Sequence, residues 1–294
     1  MAKASVLGFV GICLFLWHQN LPTAIINHPK AMSHFWTDSH SHLYVEAFDQ
    51  DRHEAMARCH EAGVAHIYLP NIDHRSIEAM LELEMAYPTQ AFACMGLHPC
   101  SVKKDFEKEL YLVEDWLNKR SFAAIGEMGL DLYWDKSFVE EQKEAFRIQA
   151  AWAKQYRLPL IIHSREATDE AIALIEALQD EQLRGVFHCF TGTLEQAEQI
   201  IALGFVLGIG GVATYKKGGL DQVLPFVDMQ HLVLETDSPY LPPVPHRGKR
   251  NESAYLPLVG QAVAQMKGLS VEEVRQQSTA NAQRLFAPTK ADKV

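Results

Sequence analysis

From Phe35 onward, short apolar runs recur, each separated from the next by a longer stretch. The runs are Phe35–His40, Val64–Pro70, Gln90–Leu97, Phe122–Glu127, Leu158–His163, Gly185–Phe190, Phe205–Ile209 and Leu232–Thr236, eight in all. Amphipathic patterns of helical period lie between them, among them Asp51–Ala62, Arg75–Tyr87, Val139–Tyr156, Ala167–Leu178, Leu194–Leu203 and Leu220–Phe226. Strands joined through helices run parallel, and near-continuous apolar strands are buried on both faces. Eight such units predict an α/β fold of the (β/α)8 barrel type rather than an open doubly wound sheet. A closing helix is predicted over Val271–Leu285, with Ser270 and Glu273 placed as a capping box.

No Pro/Gly/Ser-rich linker, low-complexity tract or short repeat divides the 294 residues. A barrel commonly occupies roughly 250 residues as one domain. The expected organisation is an apolar extension over 1–31, a barrel domain over 32–288 and a short tail over 289–294. In the extension, Ala4–Trp17 follows a single Lys3 and has the look of a signal-peptide h-region. It is shorter than the roughly 20 residues a membrane span needs. Met32 offers the alternative of a later start, and this reading agrees better with the rest of the chain. Five cysteines (Cys13, Cys59, Cys94, Cys100, Cys189) form no CxxC pair, so reduced thiols and a cytoplasmic location are expected, with no stable membrane partner. A monomer is the favoured oligomeric state.

The polar residues at the ends of the runs carry the chemistry. In an extended segment alternate residues share a face, so His40 and His42 of Asp38-Ser-His-Ser-His42 aim at one point. His98 follows the third run, Glu127 ends the fourth, His163 ends the fifth, His188 falls within the sixth and Asp237 follows the eighth. In a barrel the C-terminal strand ends surround one mouth, where these residues would converge. Glu127 and Asp237 follow long apolar runs, where an unpaired charge is costly to bury, so each calls for a cationic partner. Imidazoles and carboxylates without thiolate suit Zn, Mn, Fe, Co or Ni. His98 reads as a residue that lines the site rather than a ligand.

Taken together, Asp38-Ser-His-Ser-His42, Gly96-Leu-His-Pro99, Gly126-Glu-Met-Gly-Leu-Asp131, His163-Ser-Arg165, His188-Cys-Phe-Thr-Gly192, Glu235-Thr-Asp-Ser-Pro-Tyr-Leu241 and Arg247-Gly-Lys-Arg-Asn-Glu252 resemble the motif series of the TatD family. These are metal-dependent deoxyribonucleases of the amidohydrolase superfamily, and the resemblance runs from about Phe35 to Phe286. It implies two divalent cations (Zn, Mn, Mg, Ni or Co), one held by His40, His42, Glu127 and Asp237 and the other by Glu127, His163 and His188. Ser39 stands where the family usually has Thr, and Ser253 where it usually has Pro; neither position is a ligand.

The expected reaction is hydrolysis of DNA phosphodiester bonds at single-stranded or frayed ends. Glu127 and Asp237 are the expected catalytic carboxylates, with Asp237 orienting or deprotonating the water. His98, Arg165, Tyr133 and Arg250 are the candidate substrate contacts. Arg165 reads equally as a phosphate clamp or as a structural partner of Asp131. Tyr133 and Trp134 read as a base-stacking pair or as loop packing, and Lys216, Lys217, Arg247, Lys249 and Arg250 as strand guides or solvated loop charge. The net charge of −10 argues against extended duplex binding. The same ligands would serve a D-aminoacyl-tRNA deacylase or another ester or amide hydrolase, with aminoacyl-tRNA as the alternative substrate. A non-catalytic metal-holding scaffold is the remaining alternative, disfavoured by the complete ligand set.

Overall fold

The structure is a computed structural model that describes residues 34–287. The expected extension over 1–31 and tail over 289–294 lie outside the described residues. Eight strands are present: β1 Trp36–Asp38, β2 Val64–Pro70, β3 Ala91–Cys94, β4 Ile125–Asp131, β5 Leu160–Arg165, β6 Gly185–Phe187, β7 Phe205–Ile209 and β8 Leu232–Leu234. Every paired neighbour is parallel, in the orders β1–β2–β3 and β4–β5–β6–β7–β8. Two parallel bridges close these sheets into a ring: Met95 with Ile125 joins β3 to β4, and Ser41 with Ser238 joins the ends of β8 and β1. The predicted (β/α)8 barrel is therefore the observed fold.

Its helices are α1 Arg52–Glu61, α2 Ile77–Ala86, α3 Phe106–Lys119, α4 Val139–Tyr156, α5 Thr168–Leu178, α6 Leu194–Ala202, α7 Leu256–Lys267 and α8 Val271–Phe286. The predicted capping box forms, with Ser270 and Glu273 satisfying each other's backbone N–H. Among the described residues, no helix is long and apolar enough to cross a membrane. One predicted helix is corrected. Leu220–Phe226 is a single 3-10 turn over Leu220–Gln222, because Pro225 can neither supply a helical N–H nor let the turn before it continue. Helix α8 covers the seam instead: the Asn281 side-chain amide donates to the carbonyls of Met229 and Leu232, at 2.7 Å each, where β8 begins.

Strand β4 runs further than the sequence pattern indicates, and this sets the depth of the site. It continues through Glu127 to Asp131, all seven residues buried, so Glu127 sits inside the strand rather than at its end. Gly129 makes the continuation possible: a Cβ there would lie 2.0 Å from the His163 carbonyl oxygen on β5. At β6 the opposite holds, since the strand stops at Phe187 and leaves His188 just beyond its end.

Candidate metal centre

His40 and His42 flank Ser41, whose bridge to Ser238 keeps the segment extended, so both rings project to the same side. Asp237 arrives from the far side of the seam, with a left-handed backbone (φ 55°) fixed by donation of its N–H to the His40 carbonyl at 2.9 Å. His40 Nε2 lies 3.1 Å from His42 Nε2 and 3.1 Å from Glu127 Oε2; Asp237 Oδ1 is 3.7 Å from each of the two imidazole nitrogens. Four donors about 2.1 Å from a tetrahedral centre would lie roughly 3.4 Å apart, and these separations bracket that value. The other carboxylate oxygen of Glu127 faces a second group. Glu127 Oε1 is 2.8 Å from His163 Nδ1 and 2.9 Å from His188 Nε2, and those two nitrogens are 3.3 Å apart.

For the neutral rings of His42 and His163, proton counting leaves a lone pair facing the centre. Tyr44 gives its only hydroxyl proton to the Pro70 carbonyl, so it accepts from His42 Nδ1 at 2.8 Å, leaving His42 Nε2 bare. His163 Nε2 donates to Asp131 Oδ2 at 2.9 Å, leaving Nδ1 bare. Behind His188, Glu235 Oε1 lies 3.4 Å from Nδ1 and accepts the Cys189 N–H. His98 is the contrary case. Its Nδ1 accepts the Cys100 N–H at 3.0 Å, so the proton sits on Nε2, which points at Glu127 Oε1 across 3.3 Å. In that tautomer His98 faces Glu127 as a donor, although its nitrogen lies close enough to Glu127 and His163 to form one of the clusters that could hold a cation. Bare nitrogens and carboxylate oxygens packed this closely repel one another unless a cation lies between them, and the His/Glu/Asp clusters are capable of holding one.

Burial works against charge on His163 and His188, but Asp131 and Glu127 beside the first and Glu127 and Glu235 beside the second outweigh it and raise both above the ordinary imidazole value. Burial works against the Glu127 charge, but the surrounding imidazoles of His98, His188, His40 and His163 outweigh it and hold the carboxyl well below its usual range. Burial lowers His40 far below the ordinary imidazole value and so keeps it neutral. Burial also pushes Asp237 up to about 6, against the pull of His188 and His42.

The profile of the TatD related DNase family matches residues 37–287. The chain belongs to that family. A metal-dependent hydrolase of Bacillus subtilis is 37% identical over 250 residues, covering 85% of this chain and 98% of that protein. A Pectobacterium parmentieri relative described as a 3'-5' ssDNA/RNA exonuclease TatD is 32% identical over 250 residues, covering 83% and 96%. Among solved structures, a TatD homologue from Escherichia coli K12 superposes with a TM-score of 0.81 at 30% identity, covering 85% of this chain and 97% of that one. This TatD-family chain is thus a metal-dependent hydrolase, of the class that acts on ester bonds.

Around the mouth, the TatD-family chain divides its candidate substrate contacts. Arg165, at the end of β5, stacks its guanidinium 3.7 Å over the Tyr133 ring and 5.3 Å from that of Trp134. Both aromatics are largely exposed, at 46% and 68%. Of the two readings of Arg165, the structural pairing with Asp131 is not what forms, because Asp131 is taken by His163 and by the Tyr133 and Trp134 N–H groups. Arg250 is placed elsewhere than expected. It makes a two-pronged contact with Asp51 at 2.6 and 2.7 Å, donates to the Ala47 carbonyl and lies over Phe48. Its guanidinium straps the last loop to the start of α1. Lys216, Lys217, Arg247 and Lys249 are exposed, with Arg247 stacked on Tyr215. Three supporting groups went unassigned in the sequence: Tyr44, Asp131 and Glu235. For the two carboxylates a signal existed, since each ends an apolar run, the same property that singled out Glu127.

Proposed function

We propose that this chain hydrolyses phosphodiester bonds at the free ends of single-stranded or frayed DNA, using two divalent cations. The observation that carries the reading is the division of the Glu127 carboxylate, one oxygen toward His40 and His42 and the other toward His163 and His188. Glu127 would then be shared between the two sets, with His40, His42 and Asp237 completing one and His163 and His188 the other. Divalent cations held there supply Lewis-acid polarisation of a phosphoryl oxygen and make water acidic enough to ionise near neutral pH.

The chain's own groups do the rest. Asp237, whose Oδ1 faces the centre 3.7 Å from the His40 and His42 Nε2 atoms, is placed to take the proton of the attacking water and return it to the leaving oxygen. His98 Nε2–H donates to a phosphoryl oxygen, since its other nitrogen is already committed to Cys100. Arg165 supplies a fixed cation at the rim, and the exposed Tyr133–Trp134 pair offers aromatic surface to a base. Arg250 is left out of substrate contact by its bond to Asp51. An acidic surface with only scattered basic side chains favours brief handling of an end over duplex tracking. The exonuclease description of the Pectobacterium relative supports the same substrate class.

The test is hydrolysis of a short single-stranded DNA with Mg, Mn or Zn supplied separately, beside a Glu127→Ala/His163→Ala control. Metal-dependent nucleotide release that is abolished in the control is the expected result. Equal cleavage of a closed circular duplex would contradict action at ends. No release at all would move the assignment to ester or amide substrates, beginning with D-aminoacyl-tRNA.

A further inference from the structure

One buried carboxylate touches both the metal centre and the exposed aromatic rim. Asp131 Oδ2 accepts from His163 Nε2 at 2.9 Å, while its Oδ1 accepts the backbone N–H groups of Tyr133 and Trp134, both at 3.0 Å. Its residue is 1% exposed. The β4–β5 register pairs Asp131 with Arg165, and the Leu132 N–H donates to the Arg165 carbonyl at 3.0 Å. The same two strands thus bring together the carboxylate, the ring it holds and the guanidinium stacked on Tyr133.

We propose that Asp131 is a positioning residue with two separable duties, fixing the His163 tautomer through Oδ2 and pinning the Tyr133–Trp134 loop through Oδ1. The first duty follows from valence. His163 presents a lone pair to the centre only if its single neutral-state proton sits on Nε2, and an acceptor opposite Nε2 is what holds it there. A donor in that position would reverse the tautomer and aim an N–H at Glu127. The second duty follows from capping geometry: two consecutive amides that share one oxygen set the direction of the loop, as an Asx turn does. Tyr133 is thereby held under Arg165, where the rim meets the strand end. The consequence for substrate rests on the nuclease reading above: a base stacked on this tray would be registered against the cleavage centre through a single side chain.

Asp131→Asn separates the duties. Its amide oxygen can still accept the two loop N–H groups, but its NH2 then faces His163 Nε2. Zinc affinity, measured by competition with a fluorescent chelator, should fall about 10–100-fold. Hydrogen exchange at the Tyr133 and Trp134 amides should stay as slow as in the wild type. Asp131→Ala should lose both zinc affinity and amide protection. Trp134→Ala should keep zinc affinity within about twofold and raise KM for a single-stranded oligonucleotide about tenfold, the scale of one lost stacking contact. Unchanged zinc affinity in a folded Asp131→Asn variant would overturn the first duty. Fast exchange in Asp131→Asn, or slow exchange in Asp131→Ala, would overturn the second. If Asp131→Ala does not fold, the asparagine variant decides both points alone. Zinc affinity and amide exchange, which decide the two duties, need no turnover, so a wild type that cleaves no DNA would sink the nuclease reading without touching this one.

Discussion

His42 backs onto a neutral phenol, whereas His163 and His188 each back onto a carboxylate. On the β1/β8 side of the centre the second carboxylate, Asp237, stands in front among the ligand atoms, 3.7 Å from each imidazole nitrogen. On the β4–β6 side the extra carboxylates, Asp131 and Glu235, stand behind the rings. Both sides bring comparable negative charge to a cation, at different distances from it. A carboxylate in front can take up a proton during a reaction. One behind makes its imidazole a stronger and better-oriented ligand. On the proposed function, the β1/β8 side would serve the chemistry and the β4–β6 side the retention of a cation.

The largest effect should come from removing the residue the two sides share. Glu127→Gln should lower kcat by about 10⁴-fold, the scale expected when a member of a cooperating set is lost. Zinc bound per chain, measured by elemental analysis after dialysis, should fall with it; normal zinc content would break the bridging assignment. Asp237→Asn should cost about 10²–10⁴-fold in kcat while the His163/His188 side keeps its metal. Equal loss of metal on both sides would erase the distinction drawn here. Glu235→Gln and Tyr44→Phe compare the two kinds of support directly. The first should weaken zinc binding about 10–100-fold, the second only about fivefold, one hydrogen bond's worth. Reversal of that order would show that the phenol, not the carboxylate, is the stronger support.

The smallest effects belong to the strap away from the centre. Arg250→Ala should leave turnover within about twofold and cost about 1 kcal/mol or less of stability, as partly exposed ion pairs do. A large rise in KM would restore Arg250 to the substrate path. The strap also has an acid signature. Arg250, then Arg58, hold the Asp51 carboxyl well below its usual value. Its stabilisation is therefore complete above about pH 4, the ordinary value for an unfolded Asp, and fades as pH falls toward the folded-state value. Asp51→Asn should flatten the decline of Tm below pH 4; a decline as steep as in the wild type would refute the linkage.

The eight strands and the residues at the mouth were legible because each run of apolar residues has to end, and a costly polar group at that end is conspicuous. What lies behind the mouth was not. Asp131 reaches His163 only because Gly129 lets β4 and β5 approach closely, a fact of register that the linear pattern does not contain. Tyr44 looks like any core aromatic until Pro70 and His42 are brought beside it. The exchange of a predicted helix for a turn at Leu220–Gln222 has a local cause, Pro225, that periodicity alone outvoted. Arg250 belonged to a basic cluster in sequence, yet Asp51, far away along the chain, claims it.

The seam between β8 and β1 has a consequence for how the centre is born. Asp38, wholly buried, accepts the Thr236 N–H at 2.9 Å and the Thr236 hydroxyl at 2.6 Å, across 198 positions of chain. A ribosome delivers His40 and His42 long before Asp237. Until β8 is made, the first pair of imidazoles has neither its carboxylate nor the strand that holds it in line. The His163/His188 side, by contrast, has both imidazoles, Glu127 and Asp131 once His188 has emerged, and waits only for Glu235 behind His188. A chain cut short before β8 could therefore own the ligands of one half of the centre and never those of the other, so full assembly of the site reports that translation reached beyond the last strand.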